Sequence, residues 1–275
     1  MMRSWLLVPA TDAAMLGQAL TSTASVLVLD LVAVTPSRKE QARQDAVAFL
    51  RKRGQRRCFV TAHAHDSGLL EADIDAALGG GADGILLSGA RAAADLQRLD
   101  VILSAREAIM GTGVGSTRIM AMSGDTPEGI LNTGEAMAKA SSRLDALGWS
   151  AGTLAATIGA AGPDDLGETA TTARAALLFA AASAGIAAID TDRETVDPQN
   201  LHAARRQGFA GCLTREPGQL AAINAAFTWN ETEIATAKQI LAALSSKNEK
   251  AAFLPDGTPL READFVRARR ILASV

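Results

Sequence analysis

The sequence predicts a (β/α)8 barrel of the α/β class, the TIM-barrel form, with extra helices at its C-terminal end. Three observations predict it. Short β-branched, apolar runs recur about eight times along 275 residues, each run is continuously apolar rather than alternating, and helix-like segments separate them. Continuous apolar runs mark parallel strands, because the crossover helices cover both faces of such a sheet. An open doubly wound sheet is the alternative. It lacks its glycine fingerprint here: Gly111-Thr112-Gly113-Val114-Gly115 follows a helix and precedes a strand, the wrong order for cradling a phosphate, and reads as a flexible loop.

Taken in order, the first strand is Arg3–Pro9, and Thr11-Asp12 caps a helix through Leu20. The second strand is Ser25–Leu31, and Pro36-Ser37 opens a helix running toward Arg53. The third, Arg57–Ala64, leads to a helix that begins at Asp66-Ser67 and stops at Gly79-Gly80-Gly81, where glycine permits the left-handed end. The fourth and fifth strands are Gly84–Ser88 and Arg118–Met122, followed by helices Ala92–Met110 and Pro127–Ala140. The sixth, seventh and eighth are Leu144–Ser150, Ile186–Asp190 and Gly211–Thr214, with helices Asp165–Ala184, Asp197–Gln207 and Pro217–Ala226 after them. Residues 1–228 then make the barrel. Residues 229–275 make a helical extension, with helices Glu231–Leu244 and Glu262–Ala273 separated by the polar stretch Ser245–Lys250. A stripe of Leu260, Phe265, Ile271 and Leu272 suits it to pack on its own barrel or on a neighbouring subunit.

Composition narrows the function classes. Hydrophobic residues make up 48% of the chain and the formal net charge is −3, with acids and bases interspersed, so nucleic acid is not the expected partner. The basic run Arg51-Lys52-Arg53, Arg56-Arg57 reads as a solvated helix end, with anion binding as the alternative. No apolar run approaches the roughly 20 residues of a membrane span. Two cysteines, Cys58 and Cys212, lie in strand-like runs without zinc spacing and fit a reducing cytoplasm. Tyrosine is absent, which removes any tyrosyl acid.

Chemistry in this fold sits at the C-terminal ends of the strands. Those ends carry Asp30, then His63 and His65, Ser88-Gly89, Asp125-Thr126, Ser150 to Thr153, Asp190 to Arg193, and Arg215-Glu216. None ends in lysine, which argues against a Schiff-base aldolase. Asp30, His63, His65 and Asp125 are the candidate ligands for a metal. Each has a structural alternative. Asp30 can fix loop amides, the two histidines can face the wall, and Asp125 can cap the helix after Pro127. Asp190, Asp192 and Glu216 read as loop or cap residues.

The same junctions resemble the citrate lyase beta-subunit-like family of carbon–carbon lyases, nearly end to end. Arg3 to Pro9 is similar to the family's opening strand, and Leu29-Asp30-Leu31 with Lys39 and Ala42-Arg43 to its second unit. Asp83 to Leu87, Arg143 to Trp149, Ala184 to Asp190, Gly208 to Gly211, and Pro217 to Thr228 continue the register, and Asp256-Gly257 precedes the last helix. The resemblance implies a homotrimeric or hexameric barrel that makes or breaks a C–C bond between a small oxo-acid and an acyl-CoA thioester. It implies magnesium as cofactor, Asp125 as a metal ligand, Asp30, Asp125 and His63 as catalytic candidates, and Arg43 as a cofactor-binding candidate. Departures gather at the mouth. Val32-Ala33 replace the family's Glu-Asp, Thr61 its arginine, His63 its asparagine and Ser88-Gly89 its Pro-Lys. Gly152 or Thr153 stands for its metal aspartate, Arg215-Glu216-Pro217 for its Ile-His-Pro, and Asp125 for a glutamate one methylene longer. Two readings follow: a C–C lyase with an altered site, or a catalytically inactive homologue serving as a partner subunit or ligand-binding protein. A third is a different reaction using His63, His65 and Arg215.

Overall fold

Alternation along each strand sorts the side chains between two cores. Trp5 and Leu7, Val26 and Val28, Phe59, Leu86, Met120 and Met122, Ala146, Ile189 and Leu213 point into the barrel and fill it. Their neighbours Leu6, Val8, Leu27, Leu29, Cys58, Val60, Ile85, Leu87, Ile119, Ala121 and Leu147 face the helices. Both faces are dry, as the continuous apolar runs require. The computed structural model describes residues 2–191, 197–245, 253–254 and 257–272. Asp192, Arg193, the polar stretch 246–250, Asp256 and Ala273 lie outside the described residues.

Eight parallel strands close in sequence order from β1 to β8. They are β1 (Ser4–Pro9), β2 (Val26–Asp30), β3 (Cys58–Ala62), β4 (Gly84–Leu87), β5 (Arg118–Met122), β6 (Leu144–Gly148), β7 (Ala187–Thr191) and β8 (Gly211–Thr214). Helices α1 (Ala13–Thr21), α2 (Lys39–Lys52), α3 (Leu70–Gly80) and α4 (Ala93–Met110) follow the first four strands. Then come α5 (Pro127–Asn132), α6 (Glu135–Ala138), α7 (Ala151–Ile158), α8 (Glu168–Ala184), α9 (Pro198–Gln207) and α10 (Leu220–Phe227). Inside the barrel Trp5 and Phe59 meet edge to face, with ring centroids 5.1 Å apart. Gly84 makes room for this pair, since a Cβ there would lie 2.3 Å from the Phe59 ring. The predicted closed barrel is therefore observed, and every strand overlaps its predicted run.

The helices differ from expectation in several places, and 3-10 turns also precede α2, α8 and α10. The helix expected over Pro127–Ala140 is broken into α5 and α6 at Thr133-Gly134, both extended. Helix α7 was not expected. Its small residues, Gly152 among them, carry no clear periodicity, and the Ser150 hydroxyl caps it by accepting from the Thr153 amide. Asp66-Ser67 form a 3-10 turn before α3 begins at Leu70.

The end of the barrel opposite the mouth is closed by ion pairs. Arg143, 2% exposed, forks onto the fully buried Glu107 at 2.9 and 2.7 Å and reaches Asp100 at 2.6 Å. Glu107 also accepts from the amides of Gly115 and Thr117 at 2.7 and 2.8 Å. The glycine-rich segment expected to be a flexible loop is thus clamped over Glu107. Of the basic run, Arg51 and Lys52 are the expected solvated end of α2, whereas the arginines beyond them are tied to protein: Arg53 pairs with Asp83 at 2.6 Å, Arg56 donates to the carbonyls of Ser22 and Ala24, and Arg57 pairs with Asp145 at 3.0 Å.

Residues Met2–Phe227 form one compact unit and the chain from Thr228 a second. Within the second, α11 (Glu231–Ser245) and α12 (Glu262–Leu272) pair through Ala237, Ala268 and Ile271, with Ile234, Ile240, Leu241 and Leu272 around them. Ile271 and Leu272 of the expected stripe are therefore used inside this unit. Among the described residues no helix is long and apolar enough to cross a membrane.

Candidate functional site

The inward series of each strand continues past its last residue into the mouth. Val26 and Val28 lead to Asp30, Phe59 leads to Thr61 and His63, and Leu213 leads to Arg215. These side chains line a cavity of about 400 Å³ together with Asp125, Thr126, Ser150 and Thr153, over an apolar floor of Leu7, Leu86, Met122 and Leu213. Asp190 falls on the opposite phase, beside Ala188. It faces the helices, where it accepts from the Trp149 indole at 2.8 Å and pairs with Arg174 at 2.7 Å. Burial pushes its carboxyl above the usual range, and Arg174 and Trp149 oppose that only in part. It is a strand residue in a fixed pair, not the loop or cap residue expected.

Asp30 is 2% exposed and fully engaged. Its Oδ1 accepts from the amides of Val32 and Ala33 at 2.9 and 3.1 Å and from the Thr61 hydroxyl at 3.2 Å. Its Oδ2 accepts from Arg215 at 3.0 Å. The loop-fixing alternative is therefore realised, with the addition of a cation that the sequence did not pair to it.

His63 belongs to a relay. Its Nδ1 lies 2.5 Å from Asp73 Oδ2, and its Nε2 lies 2.7 Å from Lys39 Nζ. The Lys39 ammonium also donates to the carbonyls of Leu31 and Val32 at 2.8 and 2.9 Å. Asp73, fully buried, accepts from Arg43 Nε at 2.9 Å. An ammonium only donates, so Nε2 is the acceptor and Nδ1 carries the proton toward Asp73. Both ring nitrogens are occupied, which leaves His63 no lone pair for a metal. Burial lowers the Lys39 pKa, against the pull of Asp73 and Asp30. Arg43, the cofactor-binding candidate, does not line the cavity but holds Asp73 from α2. Asp73 carries no strand-end signal and is invisible without the fold; Lys39 stood only as a family match.

His65 departs further from expectation. It sits in the 3-10 turn beyond β3, with Nε2 2.9 Å from the Asp95 carbonyl, beside a separate pocket of about 100 Å³. The two histidines therefore do not share the mouth: among the described residues His63 and Arg215 line the large cavity, and His65 lines the small pocket beside it.

Asp125 is the exception among the mouth's charged groups. Thr126, not Asp125, caps α5, its hydroxyl accepting from the Gly129 amide at 3.0 Å. Asp125 ends the 3-10 turn Ser123–Asp125, is 5% exposed, and its Oδ1 has no hydrogen-bond partner among the described residues. Burial pushes its carboxyl up to about 7, and the amides of Ser150 and Gly89 draw it back only in part. Gly89 adopts φ +61°, a backbone conformation that suits glycine and that turns the chain beside this carboxyl.

These residues do not fit a magnesium ion. Magnesium favours a near-octahedral shell with one or two carboxylates. Both oxygens of Asp30 are already bound and Arg215 stands over the outer one, which leaves Asp125 as the one carboxylate of the described cavity lining with an unpartnered oxygen. Among the described residues no group of three His, Cys, Asp or Glu side chains converges on a common point.

Comparison with known proteins places this geometry among relatives. The model of HpcH/HpaI aldolase/citrate lyase matches residues 3–212. The chain is 28% identical over 283 residues to citrate lyase subunit beta from Leuconostoc mesenteroides subsp. cremoris, across 98% of this chain and 92% of that protein. RipC from Yersinia pestis is 30% identical with a TM-score of 0.67, over 85% of this chain and 98% of that one. The protein CitE from Mycobacterium tuberculosis, in complex with magnesium, acetoacetate and coenzyme A, has a TM-score of 0.72 at 23% identity, over 99% and 97% of the two chains, and shares the fold.

Proposed function

This chain belongs to the HpcH/HpaI aldolase/citrate lyase family, and from that premise we propose that its mouth makes or breaks a carbon–carbon bond in a small oxo- or hydroxy-acid or its acyl-CoA thioester. The observation that carries the reading is Asp125: a buried carboxyl in the cavity, with one oxygen unpartnered and a pKa of about 7. A general base works best with its pKa near the working pH. In cleavage of a 3-hydroxy acid, Asp125 takes the hydroxyl proton as the C–C bond opens. The bonding pair passes to the α-carbon of the departing fragment and is held as its enolate, which a proton then quenches. The hydroxyls of Thr126, Ser150 and Thr153 offer hydrogen bonds along the same wall.

Two further parts complete the proposal. The family relationship suits a homotrimer or hexamer, and Phe179 and Leu131, 75% and 85% exposed on outward faces, offer apolar contact area. The two buried free cysteines suit the cytoplasm. Magnesium, bound by CitE, has no matching donor set among the described residues and is given no part in the step.

Incubation of purified chain with citryl-, malyl- and related thioesters tests the reading. Turnover that falls at least 100-fold in Asp125→Asn is expected. No turnover by folded wild-type chain, or turnover indifferent to Asp125→Asn, overturns it. The second reading, a non-catalytic partner subunit or ligand-binding protein, is favoured by the closed state of the other mouth groups, since Asp30 and His63 are bound to protein partners. It expects ligand binding with no cleavage.

A further inference from the structure

We propose that Arg215, held by Asp30 at the mouth of the barrel, is the anchor for the carboxylate of the oxo-acid ligand, so that a fixed protein cation and no bridging metal binds that anion. The inference rests on the reading of the mouth as an oxo-acid site and adds to it the group that holds the acid.

Four observations point there. Among the described residues lining the cavity, Arg215 is the one lysine or arginine. Its side chain is 56% exposed although its partner Asp30 is 3% exposed, so the guanidinium stands at the cavity surface and not inside the wall. It reaches across β1 from the end of β8 to the end of β2, and only Nη1 is engaged, at 3.0 Å from Asp30 Oδ2. Asp30 itself cannot turn, because its other oxygen is tied to two loop amides and the Thr61 hydroxyl.

A guanidinium has five N–H donors in a planar fork. With Nη1 fixed on Asp30, the edge bearing Nε and Nη2 has no protein partner among the described residues and matches the spacing of two carboxylate oxygens. Asp30 thus orients the fork without using it up. The floor below is apolar and the side wall hydroxylic, which suits a short acid with its charged end at Arg215 and its reacting carbons toward Asp125. A bound divalent ion is unnecessary for this, and Arg215 over the outer Asp30 oxygen disfavours one.

Isothermal titration calorimetry on the full chain tests this, with pyruvate and oxaloacetate as anions and methyl pyruvate as the neutral control, in EDTA and in magnesium chloride. The wild-type chain is expected to bind the anions equally in both buffers and methyl pyruvate at least tenfold more weakly. Arg215→Met is expected to lose 10- to 100-fold in affinity for the anions, and Arg215→Lys to recover only part of it. Unfolding temperatures of both variants within a few degrees of wild type show that the fold is intact. Anion binding that requires magnesium, that survives Arg215→Met, or that is absent from the wild-type chain overturns the proposal. The functional reading fails separately: anion binding through Arg215 with no thioester turnover supports the anchor and overturns the lyase, whereas turnover with anion binding indifferent to Arg215 does the reverse.

Discussion

Asp30 and Asp125 are the same side chain in opposite surroundings, and the difference decides what each can do. Asp30 is buried against three donors and a guanidinium, so its charge is fully answered. Asp125 is buried with Oδ1 unanswered, and its carboxyl rises to about 7 from an ordinary value of 3.8. A raised folded-state pKa has a definite sign in stability. The folded chain holds the proton more tightly than the unfolded chain, so Asp125 carries no penalty below pH 3.8. The cost grows as pH rises from there through 7, reaching on the order of 4 kcal/mol above it. Asp125→Asn removes the charge and keeps the shape. Its unfolding temperature is expected to exceed that of wild type at pH 8 and to match it near pH 4, and equal curves at both pH values would refute this. Such a gain in stability with a loss of turnover is what a group retained for chemistry shows. The sequence marks Asp125 as a strand-end acid, but a missing partner is a three-dimensional fact. Asp73 is the converse case: no local signal distinguishes it from the other helical acids, yet it holds both His63 and Arg43.

At the scale of elements, legibility follows from where each element is buried. Strands covered on both faces must be apolar throughout, so all eight stand out from the flanking sequence. Inward and outward phase can then be read from alternation, which is why Asp30 and Arg215 belong to the mouth and Asp190 does not. Helices are less legible where small residues dominate, as in α7, or where a turn such as Thr133-Gly134 interrupts a segment of uniform composition. The junction of α4 with β6 shows what else escapes. Glu107 looks like a surface helix acid, but its buried partners hold it to about 2 although burial alone would push it up. The fork from Arg143 and the hydrogen bonds from Thr117 and Gly115 outweigh the desolvation. A depressed acid pKa stabilises the fold fully above its unfolded value of 4.5, and that contribution is lost as pH falls from there toward 2, on the order of 3 kcal/mol for Glu107. Asp100, shifted the same way through Ser141 and Arg143 despite its burial, adds to the acid limb. Equilibrium denaturation of Glu107→Gln is therefore expected to show a flatter decline between pH 4.5 and 2.5 from a lower plateau at pH 7. An unchanged acid limb would show that the cluster is not what fails in acid.

The whole barrel divides its charges between two ends with different tasks. At the end where the strands begin, Arg143, Glu107 and Asp100, Arg53 and Asp83, and Arg57, Arg118 and Asp145 form paired, partly or fully buried networks. At the mouth the pairs leave something over: the unpartnered oxygen of Asp125 and the outer edge of Arg215. In this fold the second end carries chemistry and the first carries stability. Variants at the two ends should consequently separate the two properties. Arg143→Ala strands two carboxylates, one of them fully buried, and should cost about 3–5 kcal/mol of stability. Oxaloacetate affinity per folded molecule should stay within twofold of wild type, because the cluster lies a strand length from the cavity. Arg215→Met should weaken the anion while costing less stability than Arg143→Ala, because Asp30 keeps two loop amides and the Thr61 hydroxyl. Denaturant unfolding and calorimetry on the two proteins, and on the double variant, give the decisive comparison. Effects at distant sites add to within a few tenths of a kcal/mol. A double variant whose stability loss is the sum of the two single losses and whose affinity is that of Arg215→Met supports the division. A large affinity loss in Arg143→Ala alone would mean that the closed end sets the geometry of the mouth.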